Sequence, residues 1–179
     1  LSNTDKKKIS NELNNLFYKN ILLVDEDEIQ KIMGKYNIIE KYNIKKIYPS
    51  TININIKPTK FVAKLSNNDQ LLVGSNGKII KDKKNIKILP YIFGEFNSKE
   101  FLIFKKNIDQ SKFTFKEFKT LYFFPSNRWD ILTYDDILIK LPQDNITKSL
   151  NLAYKIINNN EFKDKNFIDL RVNNYLIIK

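Results

Sequence analysis

The 179-residue sequence contains no cysteine and no histidine. Without cysteine there is no disulfide, no thiolate metal site and no thiol nucleophile. Without histidine the commonest general base and the commonest metal ligand are gone, so any catalytic reading falls to Asp, Glu, Lys, Ser or Tyr. Arginine is scarce as well: Arg128 and Arg171 are the two in the chain, although Lys and Arg together number 31 against 20 acidic residues, a formal charge of +11. A positive balance of that size suits nucleic acid or an anionic membrane. Lysine, however, lacks the planar fork that reads bases and phosphates bidentately, and the lysines are scattered among asparagine and isoleucine, which weakens the nucleic-acid reading. No apolar run approaches the roughly 20 residues of a membrane-spanning helix, and no secretory leader is visible. The sequence opens at Leu1 without an initiator methionine, so it is expected to be part of a longer protein.

What is present is enough for a packed core: 42% of the residues are hydrophobic and 13% aromatic, which excludes a disordered chain. Residues 4–16 read as a helix capped by Thr4, with Ile9, Leu13, Leu16 and Phe17 on one face. After the short apolar segment Ile21 to Val24, Asp25 and Glu28 have the spacing of a capping box, and Ile29, Ile32 and Met33 follow at helical period. The DEDE cluster at 25–28 has the look of a metal site, but carboxylates in a first turn satisfy orphan N–H groups and complement the helix dipole, and that reading is preferred. From Ile38 the period becomes 2, and IIEKYNIKKIYP and TININIKPTKFVAKL read as a hairpin turning at Tyr48-Pro49-Ser50-Thr51. Residues 1–64 thus form a helix-helix-hairpin unit, and 65–179 a second, strand-rich one.

In the second unit LLVGSNGKII reads as a hairpin with Asn76-Gly77 in a type I′ turn, KDKKNIK as a solvated basic loop, and 98–109 as a helix capped by Ser98 with Phe101, Phe104, the Lys105 stem and Ile108 on one face. FKEFKTLYFF, RWDILTY and ILIKLP form a meander turning at Pro125-Ser126-Asn127 and at Asp135-Asp136. The paired aspartates are first of all turn residues, with no companion group that would make them a general acid and base. A helix at 145–158 carries Ile146, Leu150, Ala153 and Ile157 on one stripe. In the closing FIDLRVNNYLIIK, Ile168, Leu170 and Val172 alternate with Asp169 and Arg171, as in a half-buried strand. Asn173-Asn174 then interrupts before Tyr175-Leu176-Ile177-Ile178 resumes, giving a hairpin or a bulged strand at the rim of its sheet. A rim strand carries unpaired N–H and C=O groups. The fold class is α+β: a helix-helix-hairpin module followed by a mostly antiparallel β-sheet domain with two helices.

The order of these stretches resembles the FtsQ/DivIB family of bacterial cell-division proteins, with a POTRA domain followed by a β domain. NILLVDEDEIQKIM is similar to the family's apolar segment and second POTRA helix, and IKKIYPSTININI to its basic strand, aromatic-Pro turn and following strand. FVAKLSNNDQLLVGSNGKII is similar to the passage into the β domain, with Ala63, Val73 and Gly77 at matching places. LPYIFG, KFTFKEF, RWDILTYDDILIKL and FIDLR follow in the family's order. The resemblance covers nearly the whole chain and lacks the first POTRA strand. Departures are Gly74 for an aspartate, Phe61 for a proline, and Val172 where an aromatic commonly follows Asp-Leu-Arg.

The resemblance implies a non-enzymatic scaffold without cofactor or metal, held by one upstream transmembrane helix in the inner membrane, this region lying in the periplasm at the division septum. It also implies FtsB-like and FtsL-like partners, added as a β-strand at the C-terminal edge, and further division proteins at the POTRA domain. Arg171 would meet a partner carboxylate or carbonyl or pair internally with Asp169; Val172, Asn174, Tyr175 and Leu176 would border the added strand; Arg128, beside Trp129, matches a position near the same surface. Trp129 and Leu176 also read as core residues. The competing readings are a POTRA-bearing protein of outer-membrane assembly or secretion, and a basic nucleic-acid-binding domain.

Overall fold

The computed structural model describes residues 1–82, 88–162, 164–172 and 175–179, leaving aside the side chain of Asp69. Most of the basic loop predicted from KDKKNIK, and Asn173 and Asn174, lie outside the described residues. The chain forms two compact units, Leu1–Lys60 and Phe61–Lys179. Among the described residues no helix is long and apolar enough to cross a membrane.

The first unit places α1 (Asn3–Leu13) and α2 (Glu26–Gly34) against an antiparallel hairpin of β1 (Ile39–Ile47) and β2 (Thr51–Pro58). Ser2, not Thr4, caps α1: its hydroxyl accepts the N–H of Asp5 at 3.0 Å. The helix stops at Leu13 and tightens into a 3₁₀ turn at Asn14–Leu16, which swings Phe17 off the buried face to 72% exposure. Asp25 caps α2 as expected, but through the N–H of Asp27, while Glu28 pairs with Lys19 at 2.7 Å instead of closing a capping box. Ile9, Leu16, Val24, Ile29, Met33 and Ile39 form the core, with Ile52, Ile54 and Ile56 packed against it from the predicted inner face of β2.

The stretch read as one strand from Thr51 to Leu65 breaks after Pro58, and Phe61–Leu65 becomes β3 of a second sheet. Nine strands follow the order β11-β10-β9-β8-β7-β6-β3-β4-β5. They are β4 (Asn68–Gly74), β5 (Ile79–Lys81), β6 (Tyr91–Phe93), β7 (Phe118–Phe124), β8 (Arg128–Thr133), β9 (Leu138–Lys140), β10 (Phe167–Asp169) and β11 (Ile177–Ile178), with β3 as above. The pairs β3–β6, β6–β7 and β9–β10 are parallel and the other five antiparallel. Between β4 and β5, Gly77 takes φ 74° while Asn76 stays at negative φ. A type I′ turn requires positive φ at both central residues, so the loop is a three-residue connection with glycine in the left-handed position. Gly94, after β6, is held at φ 99°, and a Cβ there would lie 2.2 Å from the carbonyl oxygen of Phe123.

Helices α3 (Ser98–Asp109) and α4 (Ile146–Ile157) line the core of this unit. Asn97, one residue before the predicted cap, forms a complete capping box with Glu100. Phe101, Phe104 and Ile108 are buried as their spacing required. On α4 Ile156 is buried and Ile157 only partly so. Trp129 is 2% exposed, stacked on Phe104 at 4.3 Å and tilted against Phe123 at 4.7 Å. Asp136 takes φ 57° in its turn and pairs with Lys119 at 2.6 Å, so the Asp135-Asp136 pair is turn chemistry in fact.

Candidate functional site

The C-terminal end of the sheet is where the predicted partner residues fall. The predicted strand through Val172 is only three residues long, Phe167–Asp169, and it is an inner strand: β9 pairs with it in parallel and β11 antiparallel. Leu170 continues the ladder by one bond, its N–H donating to the carbonyl of Lys140 at 2.9 Å. The chain then leaves the sheet, and Val172 sits in a bend, 60% exposed. The rim is β11. Lys179 exchanges both backbone hydrogen bonds with Phe167, at 3.0 and 3.2 Å. In an antiparallel pair the bonded residues alternate, so Ile177 faces β10 while the N–H and C=O of Ile178 point away from the sheet.

Side chains around this end divide between the two faces. Ile168 and Leu170 point to the helices and are buried. Val172, Tyr175 and Leu176 come together on that side with Asn145, Lys148, Ser149 and Leu152 of the α4 region, lining a groove of about 290 Å³. Leu176, read as a possible core residue, is 44% exposed there.

Arg128 and Arg171 belong to the other face. Arg171 grips Asp169 from Nε at 2.9 and 3.0 Å and from Nη2 at 2.6 Å, and its backbone N–H donates to the same carboxylate at 3.1 Å. Arg128 stacks over Phe124 at 4.3 Å and reaches Asp130 at 3.2 Å. Register places Asp130 opposite Lys140 and Lys140 opposite Asp169, so the two pairs are joined by a lysine across β8, β9 and β10. The two carboxylates respond in opposite ways. Hydrogen bonds from Arg171 hold Asp169 below the ordinary carboxylate range, whereas burial pushes Asp130 up in spite of Arg128. The internal pairing foreseen for Arg171 is thus formed, with 40% of its side chain exposed. The Asp130–Lys140 link and the α4 wall of the groove were not foreseen. The Arg-x-Asp and Asp-x-Arg spacings, which put both charges on one strand face, were a visible signal.

The model of the family "Cell division protein FtsQ/DivIB, C-terminal" matches residues 62–171, and that of "POTRA domain, FtsQ-type" matches residues 1–57. Of the six predicted partner residues, Arg128 and Arg171 fall inside the matched segment, and Val172, Asn174, Tyr175 and Leu176 lie beyond it. The chain is 19% identical over 157 residues to "Cell division protein FtsQ" of Rhizobium meliloti (strain 1021), covering 85% of this chain and 51% of the relative. It therefore spans about half the length of that relative.

Proposed function

The chain belongs to the FtsQ/DivIB family of cell division proteins, and from that membership we propose that it is the extracytoplasmic part of a non-enzymatic divisome scaffold. An upstream transmembrane helix anchors it in the inner membrane, and this region works in the periplasm at the septum, linking early to late division proteins. An FtsB-like protein, in company with an FtsL-like one, adds an extended segment to β11. Other division proteins meet the POTRA unit.

The single observation that supports this reading is the outward-facing backbone of Ile178 in β11, at the end of a nine-stranded sheet. Strand addition takes its affinity from such main-chain groups and its specificity from neighbouring pockets. The groove beside Val172, Tyr175 and Leu176 supplies a pocket with both apolar and polar walls, and the exposed part of Arg171 is a cation for a partner acceptor on the other face. Asn174, expected beside the added strand, lies outside the described residues. The test is amide hydrogen exchange on the chain with and without an FtsB-like peptide. Slower exchange at Ile178 is expected on capture; capture that leaves this amide unprotected defeats the strand-addition reading.

A further inference from the structure

We propose that the cleft between α3 and α4, on the side of these helices away from the sheet, receives an acidic amphipathic helix of a protein partner. The cleft has a volume of about 670 Å³ and is lined by Asn107, Thr147, Lys148, Asn151, Leu152 and Lys155, with Asn145 at one end. No carboxylate is among these lining residues. Its polar groups are already committed in a way that leaves donors. Thr147 Oγ1 donates to Asn107 Oδ1 at 2.8 Å, and the N–H of Lys112 donates to Asn151 Oδ1 at 2.9 Å. With its oxygen taken, Asn151 still offers amide N–H groups, and Lys148 and Lys155 are donors only. Both lysines are exposed and neither is in an ion pair among the described residues. A cleft rich in donors and unpaired cations is complementary to carboxylates.

The spacing selects the shape of the ligand. Lys148 and Lys155 are seven residues apart on α4, two turns, or about 10 Å along the axis. A helix lying alongside presents carboxylates at the same interval when they too are seven residues apart. Between the lysines stands Leu152, 42% exposed, and Asn107 is the α3 residue that lines the cleft. Leu152 is the apolar contact on which the middle of such a helix rests, in the manner of helix-in-groove recognition. A flat bilayer would meet the lysine tips and leave the asparagine floor unused. The cleft adjoins the C-terminal groove, since Lys148 and Leu152 line both. One polypeptide can run from one to the other; that continuity rests on the strand-addition reading, and the cleft's own chemistry does not.

The test is fluorescence-anisotropy titration of the 179-residue chain with a designed helical peptide carrying two glutamates seven residues apart and leucines between them. Saturable binding that weakens with added salt is expected. It should fall about tenfold or more for Lys148→Glu with Lys155→Glu, and comparably when the glutamates are changed to glutamine. The milder pair Lys148→Gln with Lys155→Gln, checked for fold by circular dichroism, should give an intermediate loss. Absence of binding overturns the proposal, as does equal binding of the glutamine peptide or indifference to a folded lysine double variant. Flotation with phosphatidylglycerol vesicles that depends on the same lysines, without peptide binding, would assign the face to lipid and also overturn it. Because the peptide has no strand to add, failure here leaves the reading of β11 standing, and failure at β11 leaves the cleft.

Discussion

Asp130 and Asp169 both stand opposite Lys140 and each has an arginine two residues away, yet they contribute to stability with opposite signs. Asp169 is gripped by several hydrogen bonds from Arg171 that outweigh its burial, so its folded pKa lies below the unfolded value. Its contribution is complete above the unfolded carboxylate pKa and is lost as pH falls through the lowered folded value. Asp130 is 3% exposed and has a looser partner; its folded pKa is raised, so ionisation opposes folding and protonation through the raised value favours it. Asp169→Asn should cost about 1–2 kcal/mol at neutral pH, less than fully buried hydrogen bonds to a charged group are worth because Arg171 is 40% exposed to screening solvent. The deficit should shrink in acid. Asp130→Asn should cost less, because an amide oxygen still accepts the N–H of Leu141 that the carboxylate accepts. Urea unfolding of the three proteins at neutral and acid pH checks both; an Asp169→Asn deficit unchanged by acid would contradict the assignment.

Among the elements, β11 and the segment before it carry the functional argument. Val172 is in a bend rather than a ladder, so proline there would strip no sheet donor. The informative positions are the two residues of β11. Ile178 directs its N–H outward, so proline there breaks no bond of the β10–β11 ladder, although it also removes an isoleucine side chain packed against the core. Ile177 directs its N–H toward β10, so proline there breaks the strand's own ladder. Ile178→Pro should match Ile178→Ala in melting temperature and, unlike Ile178→Ala, weaken capture of an FtsB-like peptide at least about tenfold. Ile177→Pro should destabilise the C-terminal hairpin itself, seen as faster amide exchange at Lys179 and Phe167. Equal capture by folded Ile178→Pro would remove β11 as the docking edge. The same element shows why periodicity overreached: Ile168, Leu170 and Val172 alternate without fault, but the chain leaves the sheet after Leu170, and period 2 carries no information about where a neighbouring strand ends.

At the scale of the molecule there are two cores, one around Ile29 and Met33 and one around Phe101, Phe104, Trp129 and Ile131. The second lies within Phe61–Lys179, the unit that contains α3, α4 and, among the described residues, the nine strands of the larger sheet. A unit of that size buries a sufficient fraction of its surface to stand alone, whereas one of sixty residues is marginal. Residues 61–179 produced by themselves should therefore unfold cooperatively in urea, and residues 1–60 by themselves should show a lower midpoint or none. A non-cooperative transition for 61–179 would mean that its core depends on the other unit.

The sequence by itself determined the kinds and order of most elements, the buried stripes of α2, α3 and α4 apart from Ile32, Lys105 and Ile157, which are only partly buried, and the family. These follow from local periods, caps and turn residues that each segment carries within itself. Arg171 with Asp169 was legible for the same reason, since residues two apart on a strand share a face. Tertiary structure alone decided that Phe61–Leu65 leaves the first hairpin for the second sheet, and that β10 is an inner strand and β11 the rim. It alone set Asp130 against Lys140 and brought Lys148 and Leu152 to the groove beside Val172. Strand order and register depend on which surfaces meet across long separations in the chain, and no local pattern encodes that choice.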